Sequence, residues 1–246
     1  MKKRLDELLV EQGLVATRSR ARDAVLRGLV RVDGEVVTKA GADIGTGARL
    51  SVAPEAGTAY VSRGALKLKA ALAGFGFDAS GRMALDAGAS TGGFTEVLLE
   101  HGAARVYAVD VGHGQLHPRI RARPEVVALE NQDVRGLDAR LVAEPIGALV
   151  VDVSFISLTK VLPGLLALAA PGCWLVALVK PQFEVGRTAV GKGGVVRDAA
   201  AREAAVAAVG RLLAETPGWT VAGVLPSPIV GGSGNVEVLI GARRDG

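Results

Sequence analysis

Three short segments of the chain each contain an apolar run that stops at a carboxylate. These runs end at Asp86, Asp110 and Asp152. In an open α/β sheet the carboxyl ends of the strands bind ligands, so we expect the three acids to line one crevice. The first run continues into the sequence GASTGG, whose glycines let backbone approach a ligand and a helix begin beside it. Such an acidic crevice suits a neutral or cationic nucleoside better than a phosphate.

The spacing of the glycines bears on which nucleoside would bind. A nicotinamide-dinucleotide loop has the pattern G-x-G-x-x-G, whereas this chain has Gly88, Gly92 and Gly93. Asp110, about twenty residues after the loop, suits the ribose hydroxyls of either ligand. The glycine spacing favours S-adenosylmethionine, but this segment alone leaves a dinucleotide open.

The elements that must position these residues alternate between strands and helices from residue 62 onward. The pattern predicts strands at 83–87, 105–110, 126–130, 146–151, 173–179, 219–225 and 235–241. It predicts helices at 63–75, 92–101, 112–121, 157–168 and 199–214. This alternation is typical of a mostly parallel, doubly wound sheet. The last strand follows a turn-rich stretch, which allows it to pair antiparallel.

The first 50 residues differ from the rest in charge. They hold ten Lys and Arg against seven Asp and Glu, a net charge of +3 out of +4 for the whole chain. Two short helices come first, and an Asp33-Gly34 turn between alternating runs then predicts a hairpin. A strand at 49–52 follows, and then a turn-rich connector. The charge points to a polyanionic partner, although an ordinary solvated basic surface explains it equally well.

This N-terminal layout resembles the RNA-binding module of ribosomal protein uS-four, the alpha-L motif, over residues 3–54. The resemblance implies phosphate contacts from arginine side chains, whose guanidinium groups match phosphate oxygens. The arginines concerned are Arg4, Arg18, Arg20, Arg22 and Arg31. The alternative, in which they only solvate a helix, stays open.

Four motifs of the remaining chain carry a second resemblance. They are SRGALKL from residue 62, DVSFIS from 152, KPQFE from 180 and GNVE from 234. This set resembles the FtsJ-like ribose 2′-O-methyltransferases and, with the small domain in front, the TlyA family, known as rRNA methyltransferases and also as haemolysins. The resemblance implies a Rossmann-like α/β methyltransferase domain with a seven-stranded, mostly parallel sheet at 62–246. A linker at 55–61 would join it to the small α+β RNA-binding domain at 1–54.

The same resemblance assigns the site residues. The catalytic tetrad is Lys67, Asp152, Lys180 and Glu237. The residues that would bind S-adenosylmethionine are Asp86, Gly88, Ala89, Ser90, Thr91, Gly92, Gly93, Phe94, Asp110, Asp133, Asp152 and Phe155. Further contacts to RNA would come from Arg63, Lys192 and Arg197, the last two in a glycine-rich segment that is either a mobile lid or a plain loop. For Phe155, a place in the core is an alternative.

The tetrad suits transfer of a methyl group to a ribose. A 2′-hydroxyl is a poor nucleophile and must lose its proton as it attacks, which a suitably placed lysine can accept. The resemblance gives that role to Lys180, with Lys67 nearby and two acids that orient the ammonium groups. Each of these residues taken singly would be a solvated surface group. Four of them at one crevice indicate catalysis on ribosomal RNA or ribosomal subunits, with cytidine implied as the target.

Several other classes of protein are disfavoured. The single Cys173 allows no intrachain disulfide and lies in an apolar run, and the three histidines lack metal-ligand spacing, so we predict no metal. Residues 161–179 carry no charge, but prolines and glycines interrupt them, which predicts a helix, a turn and a buried strand. We therefore expect a cytoplasmic, monomeric protein that does not bind membranes. Two alternatives stay open: an RNA-binding ribosome-assembly factor that binds the cofactor, and a haemolysin-like membrane-active protein.

Overall fold

The computed structural model describes residues 2–15, 18–26, 28–53, 60–186, 189–191, 193–231 and 234–246. The chain divides into two compact units, Met1–Ala59 and Tyr60–Gly246. Residues 55–59 of the predicted linker lie outside the described residues. Its last two residues, 60 and 61, belong to the second unit. The proposed domain limits at 54 and 62 stay predictions.

The first unit combines two helices with short strands. Its elements are β1 (Lys2–Arg4), α1 (Leu5–Glu11), α2 (Arg18–Leu26), β2 (Val30–Val32), β3 (Glu35–Val36), β4 (Asp43–Gly45) and β5 (Leu50–Val52). The predicted hairpin is confirmed: β2 pairs with β3, and both turn residues, Asp33 and Gly34, have positive φ, as a tight hairpin requires. The pairing of β1 with β4 was not predicted, because the two short strands are far apart in the sequence and no turn motif joins them.

The second unit is built on one sheet. Its strands are β6 (Met83–Ala87), β7 (Arg105–Asp110), β8 (Val126–Glu130), β9 (Ile146–Val151), β10 (Ala169–Val179), β11 (Trp219–Pro226) and β12 (Val238–Arg244). Among the described residues these seven strands have the order β11-β12-β10-β9-β6-β7-β8. The ladders from β10 through β9, β6 and β7 to β8 are parallel, whereas β12 runs antiparallel to both of its neighbours. The predicted α/β fold, a seven-stranded, mostly parallel sheet with an antiparallel last strand, is confirmed.

Helices cover both faces of this sheet. They are α3 (Gly64–Phe75), α4 (Gly93–Glu100), α5 (Pro118–Arg121), α6 (Leu158–Leu166), α7 (Pro181–Glu184) and α8 (Ala199–Glu215). Two buried apolar clusters result. The first includes Leu68 of α3 and Leu98 of α4, which pack on one face of the sheet, and the second includes Leu162 of α6 and Val209 of α8. The second cluster also contains Cys173, which is fully buried, as the sequence predicts.

Pro163 lies inside α6, as in the helix predicted over 157–168, but residues 169–172, predicted to form a turn before the strand at 173–179, belong to that strand. Helix α6 continues through Pro163, and β10 runs through Pro171 and Gly172, with a shift in its pairing to β9 between Ala169 and Trp174. A strand accepts proline at such an irregularity because no ladder hydrogen bond is required there. In the described ranges, no helix combines the length and apolar character that crossing a membrane would need.

A helix predicted over 112–121 is confined to its last turn. The carboxylate of Glu130, at the end of β8, accepts the backbone N–H groups of Gly114, Gln115 and Leu116 at 2.8–3.1 Å. These bonds hold residues 112–117 as a loop, so that the helix begins only at Pro118. Proline favours the first helical position, since its missing N–H is not needed there.

We predict that this loop loosens in acid. Burial opposes ionisation of Glu130, but the backbone N–H of Leu116, the Arg121 guanidinium and two further N–H groups lower its pKa to about 2. A lowered pKa stabilises the fold above the unfolded-state value of 4.5, and this contribution is lost as the pH falls towards 2. Urea unfolding at several pH values should therefore show wild type more stable than Glu130→Gln at neutral pH. The gap should close between these two values, and a gap that does not change with pH would contradict the assignment.

Candidate active site

The predicted acids lie at the carboxyl edge of the sheet. Pairing of Ala87 with both Val109 and Val151 brings the ends of β6, β7 and β9 side by side. The N–H of Asp152 donates to the carbonyl of Ala87 at 2.9 Å, which extends the ladder past the strand end. At the far side, the antiparallel register pairs Val179 with Val238, so Lys180 and Glu237 leave the sheet at this same edge.

The glycine-rich loop at 88–93 follows β6 directly. Gly88, Ser90 and Gly92 all have positive φ, of 90°, 47° and 93°. The N–H groups of Gly88 and Ala89 both donate to the carbonyl of Val109, at 2.9 and 3.0 Å. The loop therefore bends sharply over the strand ends and begins α4 there, as the glycine pattern predicts.

Gly88 is the position where a side chain fits least. A Cβ there would lie 2.7 Å from the carbonyl oxygen of Asp152, and the φ of 90° adds strain of its own. We expect Gly88→Ala to lower the free energy of unfolding by about 2–4 kcal/mol through backbone strain and overpacking together. Gly76→Ala is the matched control, since Gly76 has φ of 63° but nothing within 4 Å of its Cβ position. Equal losses in urea unfolding would show that the contact with Asp152 is unimportant.

Two acids at the loop differ in environment. Asp86 is fully buried, and burial raises its pKa to about 7 although Thr95 donates to its Oδ2 at 2.6 Å. Its Oδ1 has no hydrogen-bond partner among the described residues. Asp110 accepts the N–H of Ser90 at 2.8 Å and that of Gly112 at 2.7 Å, so it fixes the loops on both sides.

Lys180 pairs with Asp152, one of the two acids of the predicted tetrad. Its Nζ lies 2.6 Å from Oδ1 of Asp152 and donates to the hydroxyl of Ser154 at 2.8 Å. Lys180 itself is buried at the end of β10, and Ser154 is exposed. The ammonium group is thus held between two acceptors, one of which is open to solvent.

Lys67 pairs with Glu237, the other two members of the predicted tetrad. The Nζ–Oε2 distance is 2.5 Å, and the residues are only 8% and 4% exposed. Lys67 comes from α3, and Glu237 precedes β12 by one residue, whereas the sequence placed it inside a strand at 235–241. That prediction was wrong because Asn235 is buried and bonded to a neighbouring loop: it accepts the N–H of Val196 and donates to the carbonyl of Gly194.

Phe155 projects from the loop that follows Asp152. It is 91% exposed, which rules out the alternative of a core residue, and its φ of 66° is rare for a bulky side chain. Its ring lies 5.2 Å from that of Phe183, centroid to centroid. An exposed aromatic residue in a strained conformation indicates a function other than stability.

The other residues predicted for the site have fewer contacts that link them to the tetrad. Asp133 follows β8. Its carboxylate accepts hydrogen bonds from the guanidinium and the backbone N–H of Arg135, and these bonds lower the pKa of Asp133 to about 2. The Nε of Arg63 is buried without a hydrogen-bond partner among the described residues, and Arg197 is exposed. Lys192 lies outside the described residues, so its predicted contact has no structural counterpart.

The predicted RNA-binding arginines belong to the first unit. Arg4 and Arg18 both pair with the buried Asp6, at 2.9 and 3.3 Å, and Arg31 donates to the carbonyl of Gly34. Arg22 is exposed. The side chain of Arg20 lies outside what the structure describes. The sequence analysis missed Asp6, because its two partners lie at different distances along the chain and no local pattern shows these contacts.

Two further residues at the site escaped the sequence analysis. Glu184 accepts the hydroxyl of Ser157 at 2.6 Å and the N–H of Leu158 at 2.8 Å, and Glu130 holds the loop after Asp110. Both are single acids whose backbone N–H partners lie more than ten residues away in the chain. Only KPQFE, which contains Glu184, drew attention to either of them.

Comparison with known proteins agrees with this geometry. A family model described as FtsJ-like methyltransferase matches residues 60–244, and one described as S4 domain matches residues 3–50. The fold and the site therefore define an FtsJ-like methyltransferase that carries an S4 domain. A Mycobacterium tuberculosis protein named 16S/23S rRNA (cytidine-2′-O)-methyltransferase TlyA is 47% identical over 98% of this chain and 89% of its own length. The chain belongs to the TlyA family.

Solved structures show the same fold. One from Streptococcus thermophilus, which carries a hemolysin name, is 40% identical with a TM-score of 0.76 over 99% of this chain and 89% of that one. A Bacillus cereus O-methyltransferase solved in complex with SAH is 16% identical with a TM-score of 0.52, over 76% of this chain and 84% of that one. At that identity the likeness extends to the fold alone.

Proposed function

We propose that this protein transfers a methyl group from S-adenosylmethionine to the 2′-hydroxyl of a cytidine in ribosomal RNA. The observation that carries the proposal is the pair of buried lysine–carboxylate contacts, Lys180–Asp152 and Lys67–Glu237, at the carboxyl edge of the sheet. The family relationship supports it, since the Mycobacterium tuberculosis relative is named for that reaction.

The residues around the glycine-rich loop fit S-adenosylmethionine. Asp110 can accept ribose hydroxyls, and the buried Asp86 has an oxygen without a hydrogen-bond partner among the described residues. The acids suit a ligand that carries a sulfonium and an ammonium group, which attract carboxylates. Residues 88–94 would line the methionine end, while Phe155 and Asp133 would contact the nucleoside. When bound, the cofactor supplies an activated methyl group.

Lys180 has the position of the general base. In its neutral form the amine accepts the proton of the 2′-hydroxyl as that oxygen attacks. The ammonium group that results is stabilised by the Asp152 carboxylate and the Ser154 hydroxyl. Lys67, held by Glu237, adds a second positive charge at the same edge, which favours the developing alkoxide.

The S4 unit would bind the RNA. Although Arg4 and Arg18 pair with Asp6, a guanidinium has five N–H donors, so each keeps donors for phosphate. Arg22, Arg63 and Arg197 would add contacts, and the arginine-rich N-terminal region would guide the approach of the polyanion.

Transfer of tritium from labelled cofactor to ribosomal subunits that lack the modification tests this function. We expect label on a cytidine ribose, located by mapping 2′-O-methylation in both rRNAs. Label on a base, or no label on either subunit, would overturn the proposal. Subunit assembly in cells that carry a catalytically inactive variant separates the enzyme from an assembly factor: normal assembly without methylation would favour the assembly role.

A further inference from the structure

Two loops at the candidate site are joined at three successive points. The loop at 152–158 follows β9, and the segment at 180–184 follows β10. Lys180 bonds Asp152 and Ser154 at the first point, and Phe183 lies against Phe155 at the second. At the third point Glu184 accepts the hydroxyl of Ser157 and the N–H of Leu158.

The middle of the first loop is strained. Phe155 has a φ of 66° and is 91% exposed, so it gains little from burial where it stands. A residue in such a conformation persists only where the surrounding structure constrains it from both sides. Asp152 is fixed on one side by Lys180, and Ser157 and Leu158 are fixed on the other by Glu184.

We propose that Glu184 is a positioning residue for the reaction. Its two hydrogen bonds hold the far end of the 152–158 loop, and through that loop they keep Asp152, Ser154 and Phe155 in place against Lys180. Glu184 itself touches none of the reacting atoms. This inference rests on the proposed methyl transfer, because the effect is on Lys180 as the base.

The alternative is that Glu184 only caps the N-terminus of α6, through the N–H of Leu158, and stabilises the fold without affecting the reaction. Asp138 provides the matched control, since its carboxylate also holds a loop through two hydrogen bonds, which it accepts from the backbone N–H groups of Arg140 and Leu141 before β9 begins. Because β9 runs away from that loop, Asp138 lies towards the opposite edge of the sheet from the tetrad. Asp138→Ala should therefore lower thermal stability and leave turnover unchanged.

The experiment measures kcat and KM for methyl transfer to RNA, with cofactor binding by calorimetry, in wild type, Glu184→Ala, Glu184→Gln and Asp138→Ala. We expect Glu184→Ala to lower kcat at least tenfold while KM for RNA changes less than threefold, and cofactor affinity should fall by less than kcat does. Glu184→Gln should recover most of kcat, because its amide oxygen still accepts the N–H of Leu158. It serves as the folded variant if Glu184→Ala does not fold.

Each outcome decides one question. The positioning role is overturned if Glu184→Ala has the kcat of wild type. This includes the case in which it loses stability alone, as Asp138→Ala should. If Glu184→Ala does not fold, a folded Glu184→Gln variant whose kcat is at least tenfold below wild type also overturns it, because the retained acceptor for Leu158 should preserve kcat. If wild type itself transfers no methyl group, the proposed function fails and this inference falls with it.

Discussion

Lys180→Ala should abolish most turnover while the protein still binds S-adenosylmethionine. The side chain lies 2.6 Å from Asp152 and has the position of the base, and loss of a general base lowers rates by about 10²–10⁴-fold. The proposed contacts to the cofactor come from the glycine-rich loop and its acids, none of which the substitution removes. Single-turnover methyl transfer and calorimetric binding measure the two effects separately.

Lys180→Arg sharpens this result. Arginine keeps the positive charge and the pairing with Asp152, but it stays protonated and cannot accept a proton. It should therefore be as inactive as Lys180→Ala and more stable. Lys160→Ala, an exposed lysine on α6, is the control and should be fully active. A Lys180→Arg variant with substantial activity would show that the lysine serves only as a charge.

Glu237→Ala should be the most destabilising single substitution in the site. It leaves the ammonium group of Lys67, 8% exposed, without its carboxylate, and breaking a buried pair in this way costs about 3–5 kcal/mol of unfolding free energy. The double variant Lys67→Met/Glu237→Leu replaces both charges by apolar groups of similar size. We expect its stability to match or exceed wild type by about 1–4 kcal/mol, while methyl transfer is lost.

Urea unfolding of the three proteins tests the pair. The exposed pair Lys3–Glu11, at 2.8 Å with side chains 35% and 52% exposed, provides the control. Glu11→Ala should cost less than about 1 kcal/mol, since solvent screens such pairs. A double variant as unstable as Glu237→Ala would mean that the pair stabilises the fold by itself, instead of being kept for the reaction at a cost in stability.

The parts of the fold with a clear repeat in the sequence could be predicted. Buried parallel strands such as 146–151 are near-continuous apolar runs, and all four tetrad residues lay beside recognisable motifs. The two pairs that the tetrad forms in the structure were expected only in outline. The pairing of Lys67 with Glu237 joins residues 170 positions apart, which no local pattern can show.

The failures have a common cause. Helix α5 is short because Glu130 binds the N–H groups of the preceding loop, and β12 begins late because Asn235 bonds the segment at 194–196. In both cases one buried or half-buried side chain satisfies backbone groups that regular structure would otherwise have used. Such contacts depend on tertiary neighbours, and therefore periodicity does not reveal them.

The place of β12 in the sheet has a consequence for how the protein is made. This strand is synthesised after all the others, yet it lies inside the sheet, between β11 and β10. During translation, domains fold from the N-terminus, so β10 must wait with an open edge and β11 with no partner until residues 238–244 emerge. Glu237 arrives in the same step. A nascent chain therefore has Lys67 without its carboxylate, and any stop codon upstream of β12 removes sheet closure and catalysis together.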